Sequence, residues 1–278
     1  MTLVVNTNIA SMNAQRSLHA SSRELSTAME RLSTGKKINS AADDAAGFAI
    51  AESMTAQIRG LSMAAKNAND AQSLLSIVEN ATNDVTDMLQ RVRELAVQAQ
   101  SDTNSSTDKA NLQKEAEALF AEIDRVASDT TYNNVAYLGS GAASIDIQVG
   151  YTDGDTISIT TYDVSSGQLG TDGGTKLHDG SDFLLIDGAG ALQVISDAID
   201  QVAGYKAEWG AGQNRLEYTI SNLMNVVEFT SAARSRIQDA DFALEAAKLS
   251  KAQVLQQSGA AMLAQANAAP QLALQLLK

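Results

Sequence analysis

Two histidines, thirty-three carboxylates and no cysteine are the raw material for any hydrolytic, redox or metal chemistry in this 278-residue chain. A catalytic zinc or a serine–histidine pair needs several such groups converging on one point. His19 and His178 lie far apart in unlike contexts, and each reads as a surface or helix-flank histidine. Without cysteine there is no thiolate nucleophile, disulfide or thiolate metal site. Asp153-Gly154-Asp155 carries the opening acids of a calcium loop, but the rest of that pattern is missing, so a hairpin turn is the better reading. No GxxxxGK[ST], GxGxxG, GxSxG or HExxH stretch occurs, which leaves phosphate, dinucleotide, esterase and zinc-protease chemistry without their usual scaffolds. Trp209 and the scattered methionines read as core filler rather than as ligand-binding groups. The chain reads as a non-enzyme with no cofactor and no metal.

The elements that would position such groups are also unlike those of a compact enzyme. Hydrophobic residues make up 44% of the chain but aromatics only 4%, and there is one proline. That balance suits long helices packed side by side. The net charge of −13 excludes a nucleic-acid partner, whose phosphates most of the surface would repel. The charge is unevenly spread. Residues 1–40 hold five basic and two acidic side chains, and residues 251–278 hold two lysines and no acid, so the segment between carries a net −18. The two ends resemble each other and read as one physical unit. No apolar run is long enough to span a bilayer, and MTLVVNTNIA has neither the basic nor the apolar part of a cleavable signal.

Periodicity gives the fold class: mainly α, a long antiparallel coiled-coil bundle built from N- and C-terminal arms, with a small β-hairpin insertion. Leu18, Leu25 and Leu32 repeat at seven, with Met29 completing the stripe, and Thr34-Gly35 supplies a left-handed stop. Ser40 and Asp43 form a capping-box pattern for the next helix. Positions 61, 64, 68, 71, 75, 78, 82, 85, 89, 92, 96 and 99 then alternate by three and four, with Leu61, Leu75, Val78, Val85, Leu89 and Val92 as the larger members and Thr82 the one polar member. This seam predicts a helix of roughly 39 residues. A polar turn at 101–107 and a shorter helix through Leu112, Ala116, Leu119, Ile123 and Val126 complete a helical hairpin.

Eleven of the eighteen glycines fall between 139 and 190. Within that band Ile145, Ile147, Val149 and Tyr151 alternate with polar residues, and Ile157 and Ile159 follow Asp153-Gly154, a β-hairpin pattern with an Asp-Gly turn. Residues 163–182 read as a loop or weak strands. Val202, Trp209, Leu216 and Leu223 open a second long stripe that continues through Val226, Thr230, Ala233, Ile237, Ala240, Leu244 and Ala247. Beyond residue 251 only Gly259 and Pro270 interrupt the helical pattern. The expected domains are 1–43 with 240–278, 44–138 with 191–239, and the band 139–190.

The terminal segments are amphipathic and rich in Ala, Gln and Ser, and bury too little apolar area to be stable alone or as a pair. They must pack on the central bundle, on a membrane surface or on copies of themselves. A membrane helix would carry Trp, Phe and more cations, so no membrane is expected and self-assembly fits best.

MTLVVNTNIASMNAQRSL, RLSTGKKINSAADDAAGFAIAE, AKNANDAQSLL and LQRVRELAVQ resemble the N-terminal arm of the bacterial flagellins. NRLEYTISNL, ARSRIQDADFALE, LSKAQVLQQSGAAMLAQAN and PQLALQLL resemble the C-terminal arm. The resemblance covers about 1–138 and 205–278. It implies a filament subunit for swimming motility, with the paired termini as an axial core that is disordered in the free chain and the heptad helices as the next layer outward. It further implies export through the flagellar type III apparatus, a chaperone bound to the C-terminal helix, contacts with hook-associated junction and cap proteins, and an extracellular filament. The outer band implies a short form without large outer domains. The hook–filament junction proteins share these arms and stand as the alternative. Two departures stand out: Trp209 where the family more often has Leu, and Ala-Ala-Pro at 268–270.

The resemblance also implies contact with an innate Toll-like receptor through Gln90, Arg91 and Leu95, with Glu115 on the neighbouring helix. The heptad phase puts Gln90, Arg91, Glu94 and Gln98 off the seam, with Asp87 placed to pair with Arg91. Leu95 and Val97 are apolar and off the seam, which predicts that this face meets another surface. Ser158, Thr160, Thr161, Ser165, Ser166, Thr171 and Thr175 in the outer band are the candidate O-glycan acceptors.

Overall fold

All twelve members of the predicted seam are buried along one face of a single helix. The computed structural model describes residues 7–171, 174–180 and 182–275. Among them run α1 (Ile9–Thr34), α2 (Ala45–Ala99), α3 (Ser106–Asp129), the short strands β1 (Thr131–Tyr132) and β2 (Val135–Ala136), β3 (Ser144–Gln148), β4 (Thr156–Thr160), α4 (Ala191–Gln238) and α5 (Phe242–Gln275). By internal contacts the chain forms two compact units, residues 1–58 with 228–278, and residues 59–227. The limits of these units fall inside α2 and α4 rather than at the turns near 43 and 239.

The larger unit holds the hydrophobic core. Leu75, Leu89 and Val92 of α2 are fully buried with Phe120 and Ile123 of α3 and Ile195, Val202, Trp209 and Leu216 of α4. Each large side chain withdrawn from water contributes about 1.5–3 kcal/mol before ordering entropy is counted. Thr82, the one polar seam member, turns its hydroxyl back to the Val78 carbonyl at 2.6 Å, so its burial strands no donor. Helices α2 and α3 run antiparallel across a short link, and α3 is closed by a reciprocal cap between Ser105 and Asp108.

Several expectations are corrected by local chemistry. Helix α2 is longer than predicted, 55 residues. It begins at Ala45, where the Asp44 side chain accepts from the Gly47 N–H. Ser40 is not its cap. Instead the Asp43 carboxylate accepts the Asn39 and Ser40 amides and closes a separate turn, and these bonds hold its carboxyl below the usual range. Strands β1 and β2 are missing from the sequence reading. Asn133 and Asn134 both adopt positive φ (51° and 64°), the two-residue turn that joins tightly paired strands. The β3–β4 hairpin pairs Ile145 with Ile159 and Ile147 with Ile157 as the alternation requires. Its connection, however, spans Val149 to Asp155, with Gly154 at φ +87° as one part of a wide loop rather than an Asp-Gly turn. That loop approaches α2 so closely that a Cβ on Gly60 would lie 2.7 Å from the Tyr151 Cβ.

The segment from 161 to 190 is more than a surface loop. It buries Val164, Leu169, Leu177 and Ile186 in the core. Side chains of the helices satisfy its backbone: Asp124 accepts from the Ser166 amide, Gln113 spans Leu184 and Ile186, and Gln201 spans both sides of Gly170. Trp209 is buried, donates to the Thr160 carbonyl at 2.8 Å and lies beside the stacked pair Tyr162–Tyr205. It is a core residue that ties α4 to the hairpin. Trp209→Ala should lower unfolding free energy by about 3–5 kcal/mol, measured by urea denaturation followed by far-ultraviolet circular dichroism.

Candidate self-assembly surface

In the smaller unit α1 and α5 lie antiparallel. Asn8 donates to the Ala266 carbonyl at 2.7 Å, Ser21 to the Ala252 carbonyl at 3.0 Å, and Arg31 approaches Glu245 at 3.4 Å. The facing positions on α1 are Ser11, Ala14, Leu18, Ser21, Leu25, Ala28 and Leu32; those on α5 are Glu245, Leu249, Ala252, Gln256, Gly259, Leu263 and Ala266, each set buried or half-buried. Two expectations fail here. Met29 is exposed, because Ala28 occupies the seam beside Leu25 and Leu32. Leu244 and Ala247 are exposed as well. Helix α4 ends at Gln238 and α5 starts at Phe242, so the break resets the heptad phase that the sequence stripe carried straight through. Neither Gly259 nor Pro270 ends α5. Gly259 instead lets Leu18 approach to 3.4 Å of where a Cβ would stand. The side chains of residues 269–275 and the whole of residues 276–278, which between them include the closing PQLALQLL motif, lie outside the described residues.

At its base the pair is pinned by backbone. Gly35 caps α1 at φ +70°, Lys36 bridges Asp239, the Lys37 amide donates to the Gln238 carbonyl, and the Ala240 amide donates to the Gly35 carbonyl. Glu245 is the buried carboxylate above this clasp. Its Oε1 accepts from Lys248 Nζ at 2.7 Å and from Arg31. The Lys248 bond, with the charges of Lys248 and Arg31, outweighs desolvation and holds the carboxyl below the ordinary glutamate value.

Outside the seam the pair is not covered. Ile9, Met12, Met29, Phe242, Leu244, Val254, Leu255 and Met262 are each more than two-fifths exposed, as is Phe229 at the end of α4. A shallow groove lined by Ala10, Ala14, Ser17, Leu255, Gly259 and Met262 runs beside the seam. Apolar exposure on this scale marks a surface made to meet another.

A second cluster sits on α2 and α3. Gln90 and Arg91 are exposed. The Arg91 guanidinium donates to Glu115 Oε1 at 2.8 Å and 3.1 Å and to Glu94 Oε2 at 2.9 Å. Asp87 is therefore not its partner, because α3 brings a better-placed carboxylate. Hydrogen bonds to Glu94 and Glu115 raise the Arg91 pKa. Leu95 is corrected: only 1% exposed, it joins the core beside Ala96, while Val97 does face outward. The three-four pattern named one residue per turn, but α2 is packed on more than one side, and Leu74 and Leu95 fill the second side. Of the candidate glycan acceptors, Thr161 and Ser166 are buried and bonded to Ala143 and Asp124, which removes them. Ser158, Thr160 and Thr175 are exposed, and Ser165 and Thr171 are half-buried. Among the described residues no group of histidine and carboxylate side chains is arranged to hold a metal ion, and no helix is long and apolar enough to cross a membrane.

Residues 5–142 match the bacterial flagellin N-terminal helical region and residues 192–277 the C-terminal helical region. The chain belongs to the flagellin family. It is 40% identical over 276 residues to a flagellin of Halalkalibacterium halodurans, covering 99% of this chain and 100% of that protein. It is 39% identical over 303 residues to the flagellin of Bacillus subtilis, covering 99% of each. The flagellar filament 33 kDa core protein of Treponema phagedenis is 36% identical over 286 residues, with 99% and 100% covered. Among solved structures, a putative flagellar hook-associated protein from Vibrio parahaemolyticus shares the fold, with a TM-score of 0.60 over 71% of this chain and 100% of that one, at 14% identity. As a member of the flagellin family the chain is a structural subunit of a flagellar filament rather than an enzyme.

The buried carboxylate gives the α1–α5 pairing a pH limit. A depressed folded-state pKa stabilises the pair above the unfolded glutamate value of about 4.3 and loses that contribution as pH falls through the folded value. Glu245→Gln should therefore flatten the acid limb, its stability gap to the wild type narrowing below pH of about 4. Thermal melts from pH 3 to 7, roughly spanning the carboxylate range, check this.

Proposed function

We propose that copies of this chain polymerise through the α1–α5 pair, which forms the axial core of the filament, while the core-bearing bundle supplies the next layer of contacts. The observation that carries the reading is the row of exposed large apolar residues on a helix pair whose own seam alternates half-buried leucines with small and polar residues. Such a pair gains little from its internal contact and much from a neighbour. The chain leaves the cell unfolded through the flagellar type III apparatus, with a chaperone shielding the apolar face of α5, and meets junction and cap proteins through the same ends. The flagellin role is favoured over that of a hook–filament junction protein by the near-complete coverage of flagellins at up to 40% identity. Removal of residues 245–278 should leave a soluble bundle of normal helicity that sediments as monomer under conditions where the full chain forms filaments. Normal filaments from that truncation would defeat the proposal.

A second reading concerns the released monomer. Gln90, Arg91 and Glu115 form one exposed cluster across α2 and α3, the arrangement that the family resemblance assigns to a Toll-like receptor contact. Leu95 supports it only from within the core. In a receptor reporter-cell assay, Arg91→Ala monomer should signal at least about tenfold more weakly, since a central arginine is a common anchor of an interface. Equal activity would remove Arg91 from the contact.

A further inference from the structure

The chain has no cysteine and eight methionines, so thioethers are its only oxidisable sulfurs. Methionine is ordinarily a core residue, yet Met12, Met29, Met63, Met224 and Met262 are 55–64% exposed. Met54 and Met88 are half-buried. Three of the exposed five lie on the α1–α5 pair. Met12 and Met29 each follow a buried seam residue, Ser11 and Ala28, and so flank the α1 seam. Met262 lines the apolar groove with Leu255 and Ala14. Flexible, polarisable thioethers suit a surface that must adapt to a neighbour, and the same sulfurs are open to oxidant while the surface is bare.

We propose that Met12, Met29 and Met262 are a modification site at which a hydroperoxide blocks polymerisation of the free chain, and that the filament in turn protects them. The inference rests on the proposed assembly role of the α1–α5 pair. The thioether sulfur gives an electron pair to the distal peroxide oxygen as the O–O bond breaks. A sulfoxide S–O bond forms, sulfur is oxidised by two electrons, and the departing hydroxide or alkoxide takes a proton to leave as water or alcohol. The product is polar and chiral in place of an apolar chain. Each sulfoxide must then be desolvated when a neighbour packs on it, at the cost of burying a polar group. Half of the fourteen facing residues of α1 and α5 are Ala, Ser or Gly and the facing leucines are only half-buried, so the exposed large side chains carry a large share of the assembly contact.

The test uses full-length chain and dilute hydrogen peroxide. Peptide mass spectrometry reads each methionine separately in free chain and in preformed filaments. Oxidation of Met12, Met29 and Met262 should be slower in filaments by on the order of tenfold, and oxidised free chain should fail to seed or extend filaments. A chain carrying Met12→Leu, Met29→Leu and Met262→Leu, volume-conserving changes, should polymerise normally after the same treatment although Met63 and Met224 remain oxidisable. Equal oxidation rates in filament and free chain at these three sulfurs would overturn the proposal. So would normal polymerisation of the oxidised wild type, or a treated triple variant as inactive as treated wild type. Should the untreated triple variant not polymerise, the site-by-site rates in wild-type filaments decide alone. Failure of the assembly reading is distinguished by the truncated chain above, which would then form filaments without peroxide treatment.

Discussion

What the two coiled-coil seams bury differs in kind, and the rest of the molecule follows from it. Along α2 the seam closes against Phe120, Ile123, Trp209, Leu216 and a folded-in outer loop, so its leucines and valines are dry. Between α1 and α5 the facing residues are alanine, serine, glycine, glutamine and a buried glutamate, with leucine at intervals. Helices of that kind approach closely but withdraw little apolar surface, against an ordering cost of about 1–2 kcal/mol per residue. Polar rungs and the backbone clasp at 35–38 and 238–240 orient the pair without supplying that deficit. The large apolar side chains that would supply it point outward instead.

Charge is arranged to the same end. The smaller unit carries ten basic and nine acidic side chains, the larger ten and twenty-four. A nearly neutral surface can be stacked many times without self-repulsion, whereas a strongly acidic one opposes the close approach of like copies.

Much of the fold was legible in the sequence because period and spacing are local properties of a helix. All twelve α2 seam positions, the Val202–Leu223 heptads, the β3–β4 alternation and the Gly35 stop needed no knowledge of a partner. The misreadings share a cause. Leu95 is buried although the three-four pattern leaves it off the seam, because that pattern names one face while α2 is packed on two. The stripe through Leu244 fails because the three residues between α4 and α5, 239–241, shift the phase. The burial of the outer loop is not visible in the sequence because its core residues, Val164, Leu169, Leu177 and Ile186, follow no period. Asn133-Asn134 between Tyr132 and Val135 is a turn signal that carries no glycine, since asparagine itself tolerates positive φ.

By itself the sequence determined the helical class, the α2 seam and the family. It could do so because helical periodicity and motif content are carried by neighbouring residues. Only the tertiary structure decided that Arg91 is held by Glu115 and Glu94, that Glu245 is a buried carboxylate beneath Lys248 and Arg31, and that Thr161 and Ser166 are closed to modification. It alone showed that Met12, Met29 and Met262 stand exposed. Each of these depends on which residue from a distant part of the chain arrives to cover or pair a side chain, and the order of residues along the chain does not encode that arrival locally.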